Sequence, residues 1–188
     1  MSDELMKHAA DVQAWFAEKR VEKQLDSVGQ GLVKELQKWL LAGRIEVEAT
    51  NGAHFAMIEK NYPISVNRTD WSKVNHCRVA QFRQSFATQV DIDELRVALG
   101  EFRETLAVWL NDLGISKSDY VVYVGDDSDI ALRMSVETFL ECFPIVFEQP
   151  QHGYVLPDDG HWCLNYTMES ELFLGKSSDA IAKGWIDE

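Results

Sequence analysis

Basic residues are scarce in this chain. Its 188 residues hold 18 Lys and Arg against 31 Asp and Glu, a formal net charge of −13. Phosphate neutralisation needs a cationic surface, so a free-standing nucleic-acid binder is excluded as the default. An anionic membrane surface is disfavoured for the same reason. Long apolar runs are missing too. No 18-residue stretch is free of charge, and the sequence predicts no membrane span. Cysteine is sparse and odd in number: Cys77, Cys142 and Cys163. That excludes a disulfide framework and fits a reducing cytoplasm. The opening Ser2, Asp3 and Glu4 carry no basic start with an apolar run behind it, and do not read as a secretory signal.

Signature motifs are also absent. The chain has no Gly-x-Gly-x-x-Gly or Walker pattern to cradle phosphates. It has no Gly-x-Ser-x-Gly elbow and no His-Glu-x-x-His pair. Carboxylates are too abundant for any one pair to be singled out as a glycosidase couple.

What is present is globular: 46% hydrophobic and 11% aromatic residues. At roughly 150 residues per domain, the length predicts one domain over 1–188. The charge is uneven. Residues 1–85 hold 12 basic and 11 acidic residues, whereas 86–188 hold 6 and 20. The imbalance lies in the C-terminal part, and such asymmetry is a partner signal.

Apolar spacing predicts helices over 3–20 and about 26–42, the second stopped by Gly43. These make up a helical N-terminal element, 1–43. Asn51-Gly52 between alternating flanks predicts a β-hairpin over 44–60, with Arg44 facing Glu59 and Ile45 facing Ile58. A locally basic helix is predicted over 72–88, with Val79, Phe82 and Phe86 inward. The central helix, 91–113, has the clearest stripe: Leu95, Leu99, Phe102, Leu106, Trp109 and Leu113, with Gly114 as its stop. Residues 119–175 read as mainly β. They comprise a strand at 120–124, an acidic loop at 125–129, a strand from Ile130, a short helix capped by Ser135 and closed off by Pro144, and a meander over 153–157, 161–167 and 171–175. Ile181 and Trp185 suggest a docking helical turn in the tail. The predicted fold is α+β: N-terminal helices and a long central helix packed on a mainly antiparallel sheet.

Four constellations were weighed for chemistry. Asp126, Asp127 and Asp129 could hold a hard cation, but they lack the Gly and Glu positions of an EF-hand and read better as a solvated or partner-facing turn. His152, His161 and Cys163 could offer zinc ligands, yet no fourth ligand is evident. Lys73, His76, Arg78 and Arg83 spread around a helix axis rather than along one stripe, as charges paired with the protein's own acids would. Trp71, Trp162 and Trp185 lie at element ends, where an anchor for a partner is possible.

The expectation that follows is a cytoplasmic, acidic, protein-binding module. Its sharpest form is an immunity-type inhibitor of a basic, nuclease-like toxin, with no cofactor, no metal and no catalytic residue. Asp126, Asp127, Asp129, Asp158 and Asp159 would face the partner's cationic cleft, and Tyr154 and Trp162 would supply aromatic anchors. Two alternatives stand beside it. One is a small enzyme with a dispersed site around Cys163, His161 and the 126–129 loop. The other is a structural or regulatory subunit of a larger assembly.

Overall fold

The computed structural model describes residues 27–48, 50–66, 68–82, 92–148, 152–180 and 184–185. The helix expected at 3–20, the side chains of Arg83 and Phe86, and Ile181 lie outside them. The described residues build an α+β fold of five α-helices on a seven-stranded antiparallel sheet, with a second, three-stranded sheet beside it.

The chain starts with α1 (Ser27–Glu35) and α2 (Gln37–Leu41), one helical run interrupted at Leu36. Gly43 ends it as expected. Its φ is +66°, and the Arg44 N–H reaches back to the Trp39 carbonyl at 2.9 Å. The strand β1 (Ile45–Glu48) follows, then α3 (Gly52–Asn61), β2 (Pro63–Ser65), β3 (Arg68–Thr69), a 3₁₀ turn at Trp71–Lys73 and β4 (Arg78–Gln81). The long helix α4 (Ile92–Asp112) leads to β5 (Tyr120–Gly125), β6 (Ala131–Ser135) and α5 (Val136–Phe147). The chain closes with β7 (Gly153–Leu156), β8 (Trp162–Tyr166), β9 (Glu171–Lys176) and the short β10 (Gly184–Trp185). The large sheet runs β1-β6-β5-β7-β8-β9-β4 and the small one β10-β2-β3. No described helix is long and apolar enough to cross a membrane.

Four expectations are corrected. Asn51-Gly52 starts a helix instead of turning a hairpin. Asn51 has φ −95°, not the positive value that a type I′ turn demands. Its side chain instead donates to the Ser128 and Gly125 carbonyls, and its N–H to the Asp129 carbonyl at 2.9 Å. The alternation of Ile45 and Val47 did mark a strand, but the partner is β6: Ile45 pairs with Met134 and Val47 with Leu132. Arg44 accordingly meets Glu141 on α5, not Glu59, in a two-pronged pair at 2.8 Å. Phe55 and Ile58 on α3, with Tyr62 just past its end, pack on the sheet.

The second correction is at 72–88. Arg78–Gln81 is a strand paired with β9, and Val79 is 56% exposed. Arg78 bonds Asp112 at 2.8 Å, so this cation does pair with an acid of its own chain. The third correction is at the C-terminus. Trp185 lies in a strand that pairs in parallel with β2, where a helical turn was expected.

The helix after β6 was expected to stop at Pro144, but it continues to Phe147. Ser135 caps it as expected, its Oγ accepting the Thr138 N–H at 3.2 Å. Proline cannot donate to the carbonyl four residues back. That carbonyl, of Leu140, receives the Arg103 Nε–H from α4 at 3.3 Å instead.

Apolar cores lie on both faces of the large sheet. Alternation along β5 divides them. Val121 and Tyr123 face α1, α2, α4 and α5, together with Leu36, Phe102, Leu106, Phe139 and Phe143. Val122 and Val124 face α3 and the small sheet, together with Ile58, Tyr62, Trp71, Tyr154 and Cys163. Each fully buried Leu or Phe contributes roughly 1.5–3 kcal/mol. The strands have two ends, and the site depends on which end each turn occupies. β5 starts at Tyr120 and ends at Gly125. Six residues at about 3.4 Å each put these ends roughly 17 Å apart.

Candidate functional site

The sequence grouped five aspartates as one surface, but the strand register separates them. Leu156 pairs with Val122 and Gly153 with Gly125. The 157–160 turn therefore sits at the Tyr120 end of the sheet, and the 126–129 turn at the Gly125 end.

At the Tyr120 end the carboxylates have partners in the fold. Arg133 pairs with Val122 across the ladder, and its guanidinium takes both oxygens of Asp158. That contact holds the Asp158 carboxyl below its ordinary pKa. Asp159 accepts the imidazole of His161 at 2.5 Å and its backbone N–H at 3.2 Å, and the imidazole contact lowers its pKa. The turn needs Gly160: φ is +64°, and a Cβ there would lie 2.7 Å from both the Asn61 amide and the Met57 sulfur.

At the Gly125 end, Asp126 accepts the His152 N–H at 2.8 Å and so orients the turn, with Asp127 and Asp129 following on it. The β8–β9 turn comes to the same end, because Tyr166 pairs with Gly153. It brings Glu169 and Glu171. Neither was anticipated as a site residue; Glu169 sits in the turn and Glu171 opens β9, and the position of both depends on strand pairing.

Tyr154 and Trp162, the expected anchors, lie in the cores at 2% exposure each. Tyr154 meets Phe55 edge to face at 5.8 Å, and burial raises its phenol pKa. In the folded chain neither ring reaches a partner. The dispersed constellation does not assemble either. Cys163 is fully buried under α3, while His161 is largely exposed at the Tyr120 end. His152 and the 126–129 turn lie at the other end. Burial pushes the thiols up, to about 11 at Cys77 and about 12 at Cys142, and raises Cys163 as well. Thiols shifted in that direction are poor nucleophiles at neutral pH. Among the described residues no three His, Cys, Asp or Glu side chains gather as metal ligands.

A cleft of about 640 Å³ opens between the β2–β3 segment and the β8–β9 turn. Its floor is fixed. The Trp71 indole N–H donates to Asn165 Oδ1 at 3.0 Å, and Asn165 Nδ2 donates to the Gly153 carbonyl at 3.0 Å. The Trp71 ring stacks on Phe173, with planes 3° apart and centroids at 5.6 Å. Of the candidate tryptophan anchors, Trp71 lines this cleft, whereas Trp162 lies in the core. Asp70, Glu169 and Glu171 line it against a single Arg68, so its formal charge is negative. The Arg68 guanidinium stands 3.6 Å from Glu169, a loose pair with both partners about half exposed.

One lip of the cleft is apolar at Val66, and Met168 lies in the adjoining β8–β9 turn. Val66 is 70% and Met168 58% exposed. Val66 also has φ +48°, a left-handed conformation that a β-branched residue rarely adopts. No sequence pattern marks Val66, since its exposure and strain are tertiary.

No protein-family model matches the chain, and no curated protein or solved structure matches it either.

Proposed function

We propose that the chain is a cytoplasmic protein-binding module whose Gly125 end holds a basic partner, and that this partner is a nuclease-like toxin which the module inhibits as an immunity protein does. One observation carries the proposal. Two separate turns bring Asp126, Asp127, Asp129, Glu169 and Glu171 to one end of the sheet, where the second lines a negatively charged cleft that the exposed Val66 also lines. Charge of one sign around a concave surface speeds the approach of an oppositely charged partner. The exposed apolar side chains of Val66 on the cleft and Met168 in the adjoining turn favour a protein partner over a small cation. The cytoplasmic setting is supported by three unpaired cysteines, two of them buried.

The role of Asp158 and Asp159 is secondary in this proposal, because Arg133 and His161 already engage them. The aromatic contribution moves from Tyr154 and Trp162 to the cleft itself.

The test is titration of the full chain against a panel of basic nuclease domains at low and moderate salt. The expected result is binding that weakens as salt rises and loss of nuclease activity in the complex. It should depend on Asp126, Asp127 and Asp129. Absence of binding across the panel, or affinity indifferent to salt, overturns the proposal.

A further inference from the structure

We propose that the Asn51–Gly52 bond is a modification site, a deamidation latch. It stays closed while Asn51 fastens the 126–129 turn, and it is lost for good once that turn has opened and the amide has become an acid.

The residue pair supplies the chemistry. Asparagine is a thermolabile residue, and a glycine after it has no Cβ to keep its nitrogen from the side chain. The Gly52 nitrogen gives its proton to solvent base and attacks the Asn51 Cγ. The new C–N bond closes a five-membered imide, and the side-chain nitrogen leaves as ammonia with a proton from solvent. Water then opens one of the two imide C–N bonds. The product is aspartate, or isoaspartate with the main chain routed through the former side chain.

The fold holds back the first step. The Asn51 amide is occupied: Nδ2 donates to the Ser128 carbonyl, and to the Gly125 carbonyl at 3.3 Å. The Gly52 N–H donates to Thr50 Oγ1 at 3.2 Å, which retains the proton that must leave. The Asn51 ψ of −5° eclipses the two backbone nitrogens and turns that of Gly52 away from the side chain. Rotating it back breaks the bonds that start α3, from the His54 and Phe55 N–H groups to the Asn51 carbonyl at 3.0 and 3.1 Å.

The acidic turn depends on Asn51 in return. Asn51 also gives its backbone N–H to the Asp129 carbonyl at 2.9 Å, so one residue holds the carbonyls of Gly125, Ser128 and Asp129. An ionised aspartate only accepts hydrogen bonds. At position 51 it sets a carboxylate against the Gly125 and Ser128 carbonyls and adds its charge to those of Asp126, Asp127 and Asp129. Isoaspartate goes further, because its extra backbone atom disrupts the start of α3.

The measurement is peptide mapping by mass spectrometry of the full chain, held in warm neutral buffer. Deamidation at Asn51 is expected about tenfold more slowly than in the same chain unfolded in guanidinium chloride. Thr50→Val and Asp126→Ala should each speed it a few-fold in the folded chain and leave the unfolded rate unchanged. The first frees the Gly52 proton, and the second removes the contact to the His152 N–H that orders the turn. In N51D, deuterium exchange over 126–130 should rise about tenfold while that of β8 is unchanged.

Equal rates in the folded and unfolded chain overturn the proposal, as does a folded rate indifferent to D126A. So does an N51D chain that folds and exchanges like the wild type. The wild-type and D126A rates decide the matter even if N51D does not fold. None of these outcomes depends on a partner, so the latch and the toxin-inhibitor reading stand or fall separately.

Discussion

The two ends of the sheet begin from the same material. Each is a set of hairpin turns rich in aspartate, and along the chain they look equivalent. In space they differ. At the Tyr120 end Asp158 meets Arg133 and Asp159 meets His161, so both carboxylates help to hold the turn. At the Gly125 end Asp126 is used to order its loop, and one further turn, between β8 and β9, delivers Glu169 and Glu171 beside a cleft. Acidic residues counted along a sequence are therefore not a measure of surface potential. The register of one arginine, Arg133 opposite Val122, puts a cation beside Asp158 at the Tyr120 end.

The largest effect that separates the ends is at Gly160. Replacing it with valine forces a Cβ into Asn61 and Met57 at a positive φ. Urea unfolding should register a loss of about 2–4 kcal/mol, while binding of a basic partner at the opposite end persists in the folded fraction. Next comes charge. D126N/D127N/D129N should weaken nuclease binding about tenfold, or about 1.4 kcal/mol, against less than about twofold for D158N/D159N. Equal losses would erase the distinction between the ends.

Val66→Asn should act in two directions. Asparagine tolerates the left-handed conformation, so stability should rise by up to about 1 kcal/mol. Partner affinity should fall because an apolar lip is gone. A variant that is stabilised and still binds fully would remove Val66 from the interface.

The smallest effects concern acid stability. Asp158 has its pKa depressed in the fold, so its contribution is present above its ordinary value of 3.8 and is lost as pH falls through the lower folded value. The pair is largely solvent-screened, and Arg133→Leu should cost under about 1 kcal/mol at pH 7. Glu141 is the reference away from both ends. Arg44 first, then Trp39, lower its pKa from 4.5 to about 2. E141Q should flatten the fall in stability between those two pH values, which pH-stepped urea melts would detect.

Much of the fold could be read from residue order. The 91–113 stripe became α4, with Phe102 and Leu106 fully buried. The 120–124 run and the C-terminal meander became β5, β7, β8 and β9, and Gly43 and Gly114 do end helices at positive φ. Local signals misled where tertiary pairing outweighed them. Asn51-Gly52 had ideal turn chemistry, but Ile45 and Val47 found a better partner in β6, and Phe55, Ile58 and Tyr62 found a sheet face to cover. At 72–88 the apolar spacing suited a helix, yet β9 offered an open edge to Arg78–Gln81. The site was legible only in part. Asp126–Asp129 could be recognised as a turn, whereas its placement at the same end of the sheet as Glu169 and Glu171 depends on the pairing of Gly125 with Gly153 and of Gly153 with Tyr166, which no local pattern encodes.

The double covering of the sheet has a practical consequence. β5 and β8 are interior strands with Val122, Val124, Cys163 and Leu164 sealed beneath helices or strands on either side. Their amide protons should exchange with solvent only when the whole chain opens, whereas those of the 126–129 and 167–170 turns exchange through local opening. A bound partner raises the global barrier by mass action and shields the turns directly. In one deuterium-exchange experiment, the central strands would then report how tightly the partner binds, and the turns where it sits.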